Sequence, residues 1–81
     1  MLSEGDIQDF AEVFGQRVRS LRKEKDLTQL DLAAMIDVTD RLIQRIEAGD
    51  GFTTIKTAYL IADAFDLTIA ELFTMDDSTD S

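Results

Sequence analysis

Two short helices and a tight turn are written into Thr28-Gln29-Leu30-Asp31-Leu32-Ala33-Ala34-Met35-Ile36-Asp37-Val38-Thr39-Asp40-Arg41-Leu42-Ile43-Gln44-Arg45-Ile46-Glu47-Ala48-Gly49. Thr28 suits an N-cap, because its hydroxyl can accept from the exposed N–H groups of the first turn. Asp31 follows three residues on as an acidic partner, one methylene shorter than the Glu a capping box prefers. Leu32, Ala33 and Ile36 then share one side of a helix over 29–36. Asp37-Val38 is too short to be anything but a turn. Thr39 is a second N-cap, for a helix over 40–48 with Ile43 and Ile46 inward. Gly49 stops it where left-handed backbone is needed.

Outward from this stretch, every long periodic segment is helical. Ile7, Phe10, Phe14, Val18 and Leu21 recur at three- and four-residue intervals, which predicts a first helix over 7–25 ending at Asp26. Thr54 caps a fourth helix over 55–65, with Ile55, Ala58, Ile61, Ala62 and Phe65 inward. Thr68 caps a short fifth helix over 69–73. The expected fold is all-α, a compact five-helix domain over 7–74. Residues 1–6 are read as an N-terminal extension. Residues 75–81 are acidic and aperiodic, a tail expected to be disordered.

Composition bounds the chemistry. The 81 residues include no cysteine, histidine or proline. Disulfides, zinc sites with Cys or His ligands, and catalytic groups built on either are excluded. No cofactor, metal or enzymatic activity is expected. No apolar run approaches the ~20 residues of a membrane-spanning helix. The start Leu2-Ser3-Glu4-Gly5-Asp6 is acidic, unlike a signal or transit peptide, so the expected compartment is the cytoplasm. Asp plus Glu total 17 against 8 Lys plus Arg, a formal charge of -9. That charge opposes nucleic-acid binding, but its distribution softens the objection. All the bases lie within 13–62, and five of them between Arg17 and Lys25.

Two capped helices joined by about three residues, with small Ala33 at their crossing and Val38 plugging the turn, form a helix-turn-helix arrangement. In it the second helix offers its N-terminal half to a DNA major groove. Asp40, Arg41, Leu42, Gln44 and Arg45 make the expected outer face of that helix. Arg41 and Arg45, four apart, can each approach guanine O6 and N7. Gln44 suits adenine or a phosphate, Leu42 a thymine methyl. Asp40 repels phosphate but can accept from cytosine N4. Lys56, beside the free N–H groups near Thr53 and Thr54, can hold a phosphate.

From Phe14 to Phe73 the chain resembles the Xre-like (phage repressor and Cro-type) helix-turn-helix domains. The resemblance rests on Arg17-Val18-Arg19-Ser20-Leu21-Arg22-Lys23-Glu24-Lys25, Leu27-Thr28-Gln29, Asp31-Leu32-Ala33, Val38-Thr39 and Ile43-Gln44-Arg45-Ile46-Glu47-Ala48-Gly49. It closes with Ile61-Ala62-Asp63-Ala64-Phe65 and Thr68-Ile69-Ala70-Glu71-Leu72-Phe73. Thr53, Ile55 and Lys56 are similar to the restriction-modification controllers within that family. The resemblance implies homodimers on palindromic operators and transcriptional control. It further implies that Gln29 hydrogen-bonds a phosphate, and that Arg22 pairs with Glu47 while facing a phosphate. Thr39, capping the second helix, can touch phosphate too, and Thr28 is counted with the DNA-binding residues. Asp37 stands where the family usually carries Gly.

A homodimer is expected near the fourth and fifth helices, through Tyr59, Leu67, Ile69, Leu72 and Phe73. A rival reading also stands at this point. Leu30, Met35, Leu42 and Leu60 are apolar at positions usually polar, and together with the acidity they fit a degenerate module that binds another protein instead of DNA.

Overall fold

The helix boundaries follow one recurring tripeptide. Asp26-Leu27-Thr28, Asp37-Val38-Thr39 and Asp66-Leu67-Thr68 each join two helices in a computed structural model that describes residues 3–50 and 53–74. In all three the Asp is left-handed, at φ 58°, 59° and 58°. The apolar residue after it returns its N–H to a carbonyl five residues back. Leu27 donates to Arg22, Val38 to Ala33 and Leu67 to Ala62. This is the Schellman closure, and its apolar residue anchors the chain to the core. The Thr then caps the next helix through its hydroxyl. Three residues therefore end one helix, anchor the turn and start another.

The described elements are α1 (Glu4–Glu24), α2 (Gln29–Ile36), α3 (Asp40–Glu47), α4 (Ile55–Ala64) and α5 (Ile69–Leu72), with no strand among them. Thr54 caps α4 in the same way. The Thr28–Asp31 capping box closes fully, at 2.9 and 3.0 Å, despite the shorter acid. The hydrogen bond from the Thr28 N–H holds the Asp31 carboxyl below its ordinary pKa. Gly49 takes φ 72° and ends α3 in a fourth Schellman closure.

The first helix begins earlier than its apolar periodicity predicts. Ser3 and Asp6 form a capping box, so residues 4–6, read as an extension, are the first turn of α1. The expected acidic tail, residues 75–81, lies outside the described residues, as do residues 51 and 52 between α3 and α4.

The core is built on Phe14, Val18, Leu32, Ile36, Ile43, Ile46, Ile61, Phe65 and Leu72, with Ala33, Ala58 and Ala62 at the close crossings. Helix α3 packs on both α1 and α2, and α4 on α2 and α5. Several expected positions differ. Ile55, predicted inward, is 77% exposed, because it is the first residue of α4 and lies beyond the core. Ile7 and Phe10 also keep substantial exposure, at 38% and 41%. Leu72, expected at a dimer surface, is fully buried and has no area left to offer a partner. Leu42 and Leu60, expected outward, are half-buried and pack on the core, whereas Leu30 and Met35 are exposed.

An Asp at each left-handed position has a cost. Its backbone tolerates that region less well than Asn or Gly, and its charge sits at the negative end of a helix. Replacing Asp26, Asp37 and Asp66 together with Asn should raise Tm by about 5 °C. Thermal unfolding at neutral pH measures it.

Candidate nucleic-acid interface

Helix α3 is held at its C-terminal end and left open along its outer side. Glu47, in its last turn, is buried to 4% side-chain exposure and receives a two-point bond from Arg22 on α1. Arg22 Nε donates to Oε2 at 2.7 Å and Nη2 to Oε1 at 2.8 Å. Arg22 Nη1 donates to the Leu27 carbonyl at 2.8 Å, fastening the turn before α2. Gln29 Nε2 adds a 3.2 Å bond to Glu47 Oε1. One carboxylate thus ties α1, the start of α2 and the end of α3 together. Donating to the Glu47 carboxylate, with its negative charge, raises the Arg22 guanidinium above its ordinary pKa against the pull of burial.

Two glycines let the helices approach. A Cβ on Gly15 would collide with the Ile46 carbonyl oxygen and lie 2.9 Å from that of Glu47. The last carbonyls of α3 therefore rest on the bare backbone of α1. A Cβ on Gly49 would come within 2.7 Å of the Glu12 side chain. Gln8 Nε2 donates to the Gly49 carbonyl at 2.8 Å and closes the same corner.

At the other end, Thr39 Oγ1 accepts from the Leu42 N–H at 3.1 Å. Asp40 occupies the first position of α3, where a negative charge favours the helix N-terminus. Its charge therefore has a local structural role. Arg41, Gln44 and Arg45 are exposed. Arg45 pairs with Asp50 at 3.7 Å between two well-exposed side chains, a contact too weak to hold the arginine in place. The expected outer face is present with one correction. Leu42 turns toward the core, because it adjoins the Ile43 and Ile46 stripe.

Thr28, Gln29 and Arg22 line one open cleft of about 670 Å³ with Arg19, Lys23, Asp26 and Leu27. Three cationic side chains and the N-terminus of α2 meet there. Arg22 has five N–H donors, and the three bonds above leave two free for an anion. Lys23 was not singled out from the sequence, although its position one residue after Arg22 and four after Arg19 carries the signal. Lys56 is exposed beside Asp37 and Thr57 in a smaller cleft, and Thr53 is half-buried. They lie apart from the Arg22 cleft. Arg17 donates to the Leu72 and Glu71 carbonyls at 3.1 and 2.8 Å and caps α5.

The described residues hold no group of acids placed for a metal, and no helix long and apolar enough to cross a membrane. The fold and this exposed, anchored helix define a helix-turn-helix domain. Residues 18–72 match the helix-turn-helix (HTH_3) family, and the chain belongs to that family of DNA-binding transcriptional regulators. It is 36% identical over 67 residues to an uncharacterized HTH-type transcriptional regulator of Rickettsia prowazekii, covering 83% of this chain and 52% of that protein. It is 33% identical over 57 residues to a protein of Pyrococcus furiosus named for HTH-type transcriptional regulation, covering 70% of this chain and 18% of the other. The chain thus spans about half or less of these relatives. Among solved structures it is similar to the restriction-modification controller protein C.AhdI from Aeromonas hydrophila. That match has 31% identity and a TM-score of 0.73, and covers 76% of this chain and 94% of the other. The fold of an HTH_3 family transcriptional regulator from Vibrio cholerae matches at a TM-score of 0.78 and 24% identity, covering 86% of this chain and 39% of that one.

Proposed function

We propose that this chain binds a palindromic DNA operator as a homodimer and controls transcription through α3. The observation that carries the reading is the contrast within that helix. Its C-terminal turn is locked by Glu47, Arg22 and Gln29, while its outer residues stay free of strong partners. A rigid helix with unengaged Arg and Gln side chains is what base-edge reading requires.

In this reading Arg41 and Arg45 address guanines and Gln44 an adenine or phosphate. Asp40 accepts from cytosine N4. The exposed remainder of Leu42 touches a thymine methyl. Thr39, Thr28, Gln29 and the two free donors of Arg22 meet one phosphate strand, joined by Arg19 and Lys23 at the cleft rim. Lys56 and Thr53 meet another. Two copies related by a twofold place their reading helices about one DNA turn apart, ~34 Å. Tyr59, Leu67, Ile69 and Phe73 lie on the face expected to join them. The compartment that suits this role is the cytoplasm.

The rival, a module that docks on a protein, is favoured by exposed Leu30 and Met35 and by the charge of -9. Selection from a random duplex pool at low salt separates the two. The operator reading predicts enriched inverted repeats, bound less tightly as salt rises. Arg41→Ala should weaken the best site by roughly 10–100-fold and relax preference at one base per half-site. A pool that stays unenriched at low salt decides for the protein partner.

A further inference from the structure

Asp50 is built into the corner that ends α3. Its N–H donates to the Arg45 carbonyl at 3.0 Å, across a left-handed Gly49 that has no room for a side chain beside Glu12. The Gly49 carbonyl, in the same peptide unit as that N–H, accepts from Gln8 Nε2 at 2.8 Å. One peptide unit is thus fixed on both sides, its N–H on α3 and its carbonyl on α1. This sets the Asp50 carboxylate 3.7 Å from Arg45 Nε, with the Asp50 side chain 74% exposed. The contact falls on the Nε edge of the guanidinium. The two terminal nitrogens, the fork that meets guanine O6 and N7, have no hydrogen-bond partner among the described residues. Arg41, one turn earlier on the same side, has no acid within ion-pair distance among the described residues.

We propose that Asp50 is a specificity-determining residue, which withholds Arg45 from phosphate and leaves it available to guanine. The inference rests on the base-reading role of α3 in the preceding section and adds a residue to it. The two acceptors differ in charge. A phosphate attracts arginine through a full negative charge, whereas guanine O6 and N7 belong to a neutral base and attract through paired hydrogen bonds. An arginine with a carboxylate at its Nε edge offers little net charge to the first. It keeps its terminal fork intact for the second. In open water the pair is weak, as its exposure requires. As a duplex closes on α3 and water leaves, the same charges act at lower dielectric, and the discrimination grows.

Arg41 supplies the internal contrast. With no carboxylate at hand, it attracts any duplex as well as reading its base. The two arginines of one helix face therefore differ in kind, Arg41 adding affinity and Arg45 adding selectivity. The effect is local, unlike the diffuse repulsion from a total charge of -9. Asp63, exposed on α4, carries the same charge as Asp50 but pairs with no arginine among the described residues.

Binding of the full chain to a selected operator and to a scrambled duplex of equal length, over a range of salt, tests the proposal. Asp50→Asn keeps the shape and removes the charge. Asp63→Asn removes the same charge from α4 and is the reference. Relative to it, Asp50→Asn should tighten binding to the scrambled duplex about 5-fold at low salt. The log–log salt slope should steepen by roughly 0.9 per subunit, the mark of one new phosphate contact. Operator affinity should move by less than about 2-fold, so the ratio of operator to scrambled affinity falls. In an Arg45→Ala background the effect of Asp50→Asn on the scrambled duplex should vanish, whereas a merely structural role would leave it in place. Equal changes for Asp50→Asn and Asp63→Asn, a ratio that does not fall, or an effect that survives Arg45→Ala would each overturn the proposal and leave the operator reading standing. A chain that selects no operator overturns the operator reading, and this inference falls with it.

Discussion

Glu47→Ala should lower the unfolding free energy by about 3–5 kcal/mol, a large part of what a domain of this size possesses. The loss comes from what is left behind. Arg22 stays charged at every accessible pH, and its side chain is only 10% exposed. Without Glu47 two of its bonds vanish, and Gln29 loses its acceptor as well. Glu47→Gln keeps the shape and one acceptor oxygen but puts an amide donor against the guanidinium, so an intermediate loss is expected. Arg22→Ala should also destabilise, since it removes the link to Leu27 and strands the carboxylate. The double replacement should cost less than the two single ones combined, by at least about 2 kcal/mol, the sign of direct coupling. Denaturant unfolding of the four proteins measures it. Additive losses would mean that the pair contributes nothing as a pair.

Gly15→Ala carries an expectation opposite in sign to helix propensity. In the middle of a helix, alanine normally improves on glycine by about 1 kcal/mol. At this position the new methyl meets the Ile46 and Glu47 carbonyl oxygens, which are backbone atoms and cannot rotate aside. Helix α3 must lift from α1, disturbing the Arg22–Glu47 bonds two turns further along α1. A net loss of about 2–3 kcal/mol is expected, near the top of the range for overpacked sites. Gly5→Ala, also in α1, is the control. Its Cβ would meet only Ser3 Oγ at 3.6 Å, an ordinary contact, so a gain of up to about 1 kcal/mol is expected. Opposite signs at two glycines of one helix would isolate the close approach as the cause. A gain at both positions would show that α3 does not rest on Gly15.

These two sites illustrate what the sequence discloses and what it withholds. Helix boundaries were legible to within a residue or so at Thr28, Thr39, Thr54 and Thr68, because a cap is chemistry between neighbours. The left-handed Asp residues belong to the same local class. The closure of the Thr28–Asp31 box despite its short acid needed the backbone positions. Gly15 drew no notice, because its role depends on carbonyls contributed by α3. The role of Arg17 is hidden for a similar reason, since the carbonyls it caps belong to α5. Periodicity assigned Ile55 to an apolar face without showing that it stands at the start of α4, beyond the core. The Arg22–Glu47 bond came from family resemblance, and the geometry supplied what resemblance lacked, namely the third bond to Leu27 and the attachment of Gln29.

The acidity also has a place in this account. Ten of the 17 acids fall in residues 1–12 and 63–81, outside the stretch that holds every base. A net negative charge weakens sequence-independent attraction to the duplex, which rests almost wholly on phosphate neutralisation. In the proposed reading, recognition then depends more heavily on base contacts by Arg41, Gln44 and Arg45.

Titrating the isotope-labelled protein with an enriched duplex, and following each backbone and arginine side-chain resonance, is the most direct test of the central claim. The account predicts that the largest shifts fall on Thr39, Arg41, Gln44 and Arg45, with smaller ones at Gln29 and Lys56. Shifts confined to Leu30 and Met35 or to the residues around Phe73, with the resonances of α3 unmoved, would contradict it.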